Sequence, residues 1–552
     1  MRNKLEKLLV GAAVVALASP VVAQADEQEL QKRLDELTRK VEKLEDKSLS
    51  KWLTIGGDYR FRLDSLNGRT VAYTDANATF TNAQNTLQGA FFADPTNPVN
   101  SAMLSGLMNF SNAMGNVRTF GQAQQFLGAN VPMLMGLGAF GQQVPAYKPN
   151  NDTLYTNRLG INMNAKAAKD ITVNVRLLAY KTFGSQDDTA VTNNGGTPFF
   201  ADRVGVFDGT LGHVPSSGLL NVDRAYATWS NIADQPVWFS AGRRPSTEGA
   251  PSNLRLNNER PGNGGTPALL VDYAFDGMTL GWAPDIEALP GAYAKVCYGR
   301  GFEGGFENTN NNLNDTDMLG IAIVPVDTDP LRVWLQWNRG FDIFDFPAMK
   351  NTAFGDTFPS TSLGEIDWYG AGAMGTIKNV GPGKLNFFGD VGMSVTHPND
   401  NVSAQAGFQG LLTGGFFSPE APDDKTGWAA YAGARYDYEP SKTKFGVEYN
   451  HGSKNWITFA PAADDMWTTK LGTRGDVYEA YLIQELNAKP ISSHLSKAFF
   501  RIGFQYYDFE YTGSNNWVGA PVKISEIQPG NMMMLAPLKS ARDIYATLEV
   551  KF

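Results

Sequence analysis

The chain has one cysteine, Cys297, in 552 residues. That excludes an internal disulfide and leaves the fold to packing and hydrogen bonding. Its four histidines, His213, His397, His451 and His494, are scattered, with no neighbour at the spacing metal ligation needs. There is no phosphate-binding glycine loop, no nucleophile elbow and no haem-attaching cysteine pair, so neither an enzyme nor a cofactor is expected. Beyond the N-terminus no apolar run approaches the roughly 20 residues of a membrane-spanning helix. Charge is also scarce, at 19% of residues with a net −9, which argues against nucleic acid as a partner.

Glycine (57 residues) and aromatics (12%) are plentiful instead. Transmembrane strands need only about 9–11 residues with one apolar face, so a barrel tolerates such a mildly polar average. The first 25 residues read as an export signal. Basic Arg2, Lys4 and Lys7 precede an apolar Leu8–Leu17 stretch, and Ala23-Gln24-Ala25 supplies a small-x-small cleavage site. Its removal takes away three bases and one acid, moving the net charge from −9 to −11.

Residues 26–50 are dense in charge, with Leu30, Leu34, Leu37, Val41 and Leu44 spaced 4-3-4-3 along one helical stripe. Two readings stay open: a short periplasmic coiled coil joining three chains, or one amphipathic helix against the barrel mouth. Fewer than three heptads are weak alone.

At Trp52 the period changes to two. Leu53, Ile55, Tyr59, Phe61 and Leu63 share one face, and Asp58, Arg60, Arg62 and Asp64 the other, as an extended strand requires. Further segments follow at 153–166, 170–183, 220–230, 236–245, 268–283, 291–301, 316–325, 330–339, 364–377, 384–396, 426–438, 442–452, 474–487, 497–511 and 541–552. The segment 268–283 is read as one strand with a bulge at Asp276-Gly277. Connections alternate between short and long, giving seven turns and eight loops. This predicts an all-β, antiparallel transmembrane barrel of about 16 strands over 51–552, with both termini on one side. The last strand alternates Ile544, Ala546, Leu548 and Val550 with polar neighbours and ends in Phe552.

Sixteen strands enclose more space than their own side chains fill, so a water-filled channel is expected. The polar faces carry Arg60, Arg62, Arg158, Lys166, Arg176, Arg224, Lys295, Arg332, Arg435, Lys444, Arg501 and Lys551. Against these twelve bases stand seven acids: Asp58, Asp64, Asp390, Asp437, Glu448, Asp543 and Glu549. A wall mildly favouring anions is expected, with the surplus acid in loops and coil. Arg60, Arg62, Arg158, Arg176, Arg224, Lys295, Arg332, Arg435, Arg501, Asp58 and Asp390 are the candidate pore-lining residues.

Loop 65–152 is apolar and rich in Gly, Ala, Asn, Gln and Met, with Ser101 a candidate cap for a helix carrying Met103, Leu104, Leu107, Met108 and Met114. A segment folded into the lumen is expected, the alternative being a helical cap on the rim. Its methionines are read as flexible packing rather than metal ligands.

These features resemble Gram-negative outer-membrane porins, especially those with a short periplasmic coiled coil before the barrel. Val222-Asp-Arg-Ala-Tyr-Ala-Thr-Trp229 with Phe239-Ser-Ala-Gly-Arg-Arg244 looks like a hairpin recurrent in them. The resemblance implies passive diffusion of small hydrophilic solutes or ions through a homotrimer in outer-membrane lipid. It also implies export through the periplasm and a terminal Phe552 read by the outer-membrane assembly machinery. In general porins the inward loop is usually the third, whereas here the first stands out. Barrels of this kind also occur as empty sheaths or scaffolds completed by a separate outer-membrane cytochrome, which is the alternative expectation.

Overall fold

The computed structural model describes residues 52–184, 215, 219–244, 249–259, 269–306, 312–345, 349–352, 355–415, 418–460, 464–487 and 497–552. The export segment 1–25 and the heptad residues Leu30, Leu34, Leu37, Val41 and Leu44 lie outside the described residues.

Sixteen strands close into one barrel. In chain order they are β1 (Leu53–Thr70), β2 (Asn150–Ala168), β3 (Ile171–Thr182), β4 (Asn221–Trp229), β5 (Val237–Arg244), β6 (Phe275–Trp282), β7 (Tyr293–Phe302), β8 (Thr316–Asp327), β9 (Leu331–Phe344), β10 (Ser362–Val380), β11 (Gly383–Pro398), β12 (Lys425–Tyr438), β13 (Thr443–Gly452), β14 (Gly475–Glu485), β15 (Lys497–Phe509) and β16 (Leu538–Lys551). Each pairs antiparallel with its chain neighbours, and β16 returns to β1 from Asp58↔Lys551 to Gly68↔Ala541. Closure leaves no strand edge unpaired. Phe552 completes the seam, its amide donating to the Gly57 carbonyl (2.9 Å) while its own carbonyl accepts from Gly57 (2.7 Å).

The period of two divides the wall into two surfaces. On β15, Phe499, Arg501, Gln505 and Tyr507 are buried, whereas Phe500, Ile502, Phe504 and Tyr506 are exposed. Outward apolar residues recur around the barrel, including Ile55, Val296, Leu335, Val391 and Val447. Aromatics mark both ends of this face: Trp229 and Trp282 beside short turns, and Trp428, Tyr449, Tyr478 and Tyr506 toward the long loops. In water this arrangement would forfeit roughly 25 cal/mol for every Å² of apolar surface left uncovered.

One strand differs from expectation. The segment 268–283 is not a bulged strand, because β6 starts at Phe275 and Leu269–Ala274 leave the wall. Leu269, Leu270, Val271 and Tyr273 are buried against Trp368, Trp456 and Phe459, and Val271 bridges Phe459 in parallel. An apolar run at this position packs in the interior; its composition alone mimicked a strand.

The first long loop is also different from the luminal segment expected. Four helices, α1 (Ala76–Ala93), α2 (Pro98–Gly115), α3 (Phe120–Ala129) and α4 (Val131–Leu137), form a cap at the long-loop end. Asp75 caps α1 and Asn97 caps α2, so Ser101 stands one turn inside the helix rather than at its start. Thr119 and Gln122 form a capping box on α3. Leu107, Phe110 and Phe126 pack with Val402 and Phe408 of the loop after β11. Their hydrophobic cluster is separate from the one that fills the lumen.

Candidate functional site: the barrel lumen

The candidate wall residues all lie on strands: Asp58, Arg60 and Arg62 on β1, Arg158 on β2, Arg176 on β3, Arg224 on β4, Lys295 on β7, Arg332 on β9, Asp390 on β11, Arg435 on β12 and Arg501 on β15. Arg60, Arg62, Arg176, Lys295, Arg332, Asp390, Arg435 and Arg501 are buried on the inner face. The arginines among them meet acids rather than open water. Arg176 pairs with Asp58 at 2.7 Å and Asp223 at 3.3 Å; Arg158 reaches Asp58 at 3.7 Å and Arg224 reaches Asp223 at 3.4 Å. Arg62 joins Asp64 (2.6 Å) and Asp543 (3.0 Å), Arg435 joins Asp437 (2.6 Å), and Arg332 joins Asp327 (3.6 Å). Asp390 accepts from the Trp334 indole at 2.7 Å.

Among the described residues the third and seventh long loops bring charged side chains into the barrel, while Leu411, Leu412 and Trp517 of the sixth and eighth join the buried apolar cluster. The third long loop, after β5, carries Ala250–Asn257 across the interior, with Leu254, Arg255 and Asn257 all buried. It reaches the short-turn end, where Lys551 donates to the carbonyls of Leu256 (3.1 Å) and Asn257 (3.0 Å) and Lys444 donates to the Asn257 side chain (2.6 Å). Arg501 donates to the Arg255 carbonyl at 2.8 Å. The seventh, between β13 and β14, brings in Asp464, Asp465 and Lys470. Asp464 meets Arg60 at 2.5 Å, Arg501 at 3.5 Å and Arg158 at 3.9 Å. Asp465 meets Arg255 at 3.1 Å, and Lys470 lies between Glu448 and Glu479, 2.6 Å from the latter.

The surplus acid is therefore not confined to outer loops and coil, and the base excess counted along the wall is offset within the barrel. Burial by itself would raise the Asp464 pKa, but the guanidiniums of Arg60, Arg158, Arg62 and Arg501 hold the carboxyl well below the usual carboxylate range. Burial likewise works against charged Arg255, and the carboxylates of Glu479, Asp465 and Glu448 overcome it. Arg255, Asp464, Asp465, Lys470 and Glu479 were absent from the wall assignment. All but Glu479 belong to loops, where a period of two has no meaning. The available signal was the apolar Trp456-Ile457 pair in a connection that otherwise reads as a solvated loop.

The arc β4–β9 is more open. A cavity of about 470 Å³ begins at the β4–β5 turn, lined by Thr228, Asn231, Trp238, Ser240 and Arg244. Arg244 also borders a second, smaller cavity of about 70 Å³, which extends along β6–β9 past Lys295 and Cys297 to Gln336 and Asn338. Among the described residues no group of three or more His, Cys, Asp or Glu is arranged to hold a metal.

Fold and lumen define a porin-like class: a closed sixteen-stranded barrel narrowed by its own loops. The chain belongs to the family described as protein of unknown function DUF3373, whose model matches residues 148–552. No curated protein matches it. Similar solved structures include OmpT, an outer membrane protein of Vibrio cholerae in its trimer form (10% identity, TM-score 0.37, covering 91% of this chain and 100% of that one). An anion-selective porin from Comamonas acidovorans (10%, 0.37, covering 91% and 99%) and OprB of Pseudomonas putida (10%, 0.40, covering 91% and 95%) are also similar. Likeness this remote carries no functional argument.

Proposed function

We propose that the chain is an outer-membrane channel for passive diffusion of small hydrophilic solutes or ions, exported through the periplasm and working as a homotrimer. One observation supports this most: the barrel is apolar outside and charged inside, with cavities along β4–β9 where the inserted loops leave the wall uncovered. In hydrocarbon every backbone polar group must be paired, and a closed barrel does so for all its strands. The candidate wall residues then line a narrowed passage and anchor its loops. The third and seventh loops make that passage much tighter than a bare sixteen-stranded cylinder.

The cytochrome-sheath alternative is less favoured. A sheath needs a bore wide enough for a second protein, and here Leu254, Leu270, Trp368, Trp456 and Phe459 take up much of that width. Reconstitution of the purified protein in planar bilayers tests the channel reading. Small, stepwise, ohmic conductance is expected, and bilayers that stay silent at high protein would overturn it. Crosslinking in native membranes should give trimers.

A further inference from the structure

We infer that the inner wall of β4–β6, at the short-turn end of the lumen, holds a binding site for an uncharged sugar ring, with Trp238 as its platform. The inference rests on the channel reading for its use and deepens it by naming a solute class.

The platform has a cause in sequence. Register places Trp238 on β5 opposite Gly281 on β6, and a Cβ on Gly281 would collide with the indole ring. The ring therefore lies against the wall in the space a side chain would fill. Tyr293 supports it edge-on, with ring centroids 6.2 Å apart. Trp238 stays only partly buried and borders the cavity of about 470 Å³ that begins at the β4–β5 turn. That volume falls within the roughly 300–1,000 Å³ of small-molecule pockets. A pyranose ring presents a face of C–H groups, which suits the electron-rich face of an indole.

A second observation concerns the polar groups along the same space. Tyr226, Thr228 and Ser230 line it from β4 and the turn that follows. Tyr226 and Thr228, two residues apart, share one face of the strand, and Thr228 pairs in register with Ser240 beside Trp238. The three hydroxyls and the Trp238 indole N–H have no hydrogen-bond partner among the described residues, yet none is sealed from solvent. Three groups that donate and accept, with one that donates, match a solute carrying several hydroxyls.

Available charge is missing from that set. Arg244 is the one charged side chain bordering the cavity among the described residues. Its guanidinium is committed to the hydroxyls of Ser240 and Thr279 and to the Cys297 thiol. No described carboxylate lines the space. A cation would find no opposite charge there and an anion only an occupied guanidinium, whereas shedding water costs an ion far more than a hydroxyl. A sugar loses little, because its hydroxyls exchange water partners for protein ones.

The test follows Trp238 in the full-length, detergent-folded protein labelled with fluorotryptophan, its fluorine resonance assigned by its loss in Trp238→Phe. We expect glucose to shift that resonance in a saturable way, and glycerol at equal concentration, which lacks the ring face, to leave it in place. Glucuronate, the same ring with a carboxylate, should bind no more tightly than glucose. Tyr226→Phe and, separately, Thr228→Val each remove one hydroxyl and nearly keep the shape of the wall. Each should raise the half-saturating glucose concentration about threefold to tenfold, with heat-modifiable migration showing the barrel folded. No saturable shift, an equal shift by glycerol, tighter binding of glucuronate, or half-saturation unchanged in both variants would overturn the proposal. A saturable shift in a protein silent in planar bilayers would keep the site and sink the channel reading; conductance without the shift would do the reverse.

Discussion

The carboxylate of Asp464 takes up guanidiniums that reach it from β1, β2 and β15. Removing it leaves those cations facing one another in a dry interior, and breaking such a buried arrangement typically costs about 3–5 kcal/mol. Asp464→Ala should therefore lower the stability of the folded barrel by that order, read as a shift in the urea midpoint of heat-modifiable migration. An unchanged midpoint would show that the seventh loop contributes no electrostatic anchoring. The acid dependence follows from the same contacts. A carboxyl whose folded pKa is depressed contributes stability that is complete above its unfolded pKa, about 3.9, and is lost as pH falls through the lower folded value. The Asp464 anchor should thus hold from neutrality to about pH 4 and loosen only below it. Bilayer conductance constant from pH 8 to 5 and rising under stronger acid is the expected record.

At the scale of elements, the inserted loop and the cap make opposite predictions. The third loop is fixed to the lumen through Arg255 and the carbonyls of Leu256 and Asn257, so excising 249–259 should raise single-channel conductance severalfold. The cap is inserted between paired strands, Tyr73–Asp75 and Gln142–Val144, with Asp75 opposite Gln142. Replacing residues 76–141 by a two-residue Asn-Gly turn keeps this hairpin. Unit conductance should then be unchanged; a large increase would mean that the helices obstruct the passage. Sequence patterning made the wall legible because a sheet with an apolar outer face and a polar inner face imposes alternation along its strands: Phe500, Ile502 and Phe504 against Phe499, Arg501 and Gln505. The loops were not legible in the same way. Leu269–Ala274 reads as strand because local composition does not distinguish a run buried in a sheet from one buried beside Phe459. For the same reason Asp464 has no local mark of the guanidiniums that it meets, which come from three strands far apart in the chain.

At the scale of the whole molecule, everything depends on the seam where β16 meets β1, since an open sheet would leave two rows of backbone groups unpaired, a cost that the proposed setting in hydrocarbon would make prohibitive. Phe552 serves that seam in two separable ways. Its main chain makes reciprocal hydrogen bonds with Gly57, while its half-exposed ring lies over the same glycine, where a Cβ would come within 2.9 Å of the ring. If the ring is also the mark read by the assembly machinery, Phe552→Ala should fold in detergent, because the backbone pairs remain, yet give severalfold less barrel in the outer membrane of cells. Deleting Phe552 removes both contributions and should in addition lower the urea midpoint in vitro. Gly57→Ala would set a Cβ 2.4 Å from the Gly160 carbonyl on β2 as well as 2.9 Å from the ring, so it should weaken pairing on both sides of β1 in vitro and spare recognition. Equal yields of Phe552→Ala and wild type in cells would assign the residue to closure alone, and the terminal aromatic would then be a structural feature of the seam rather than an address.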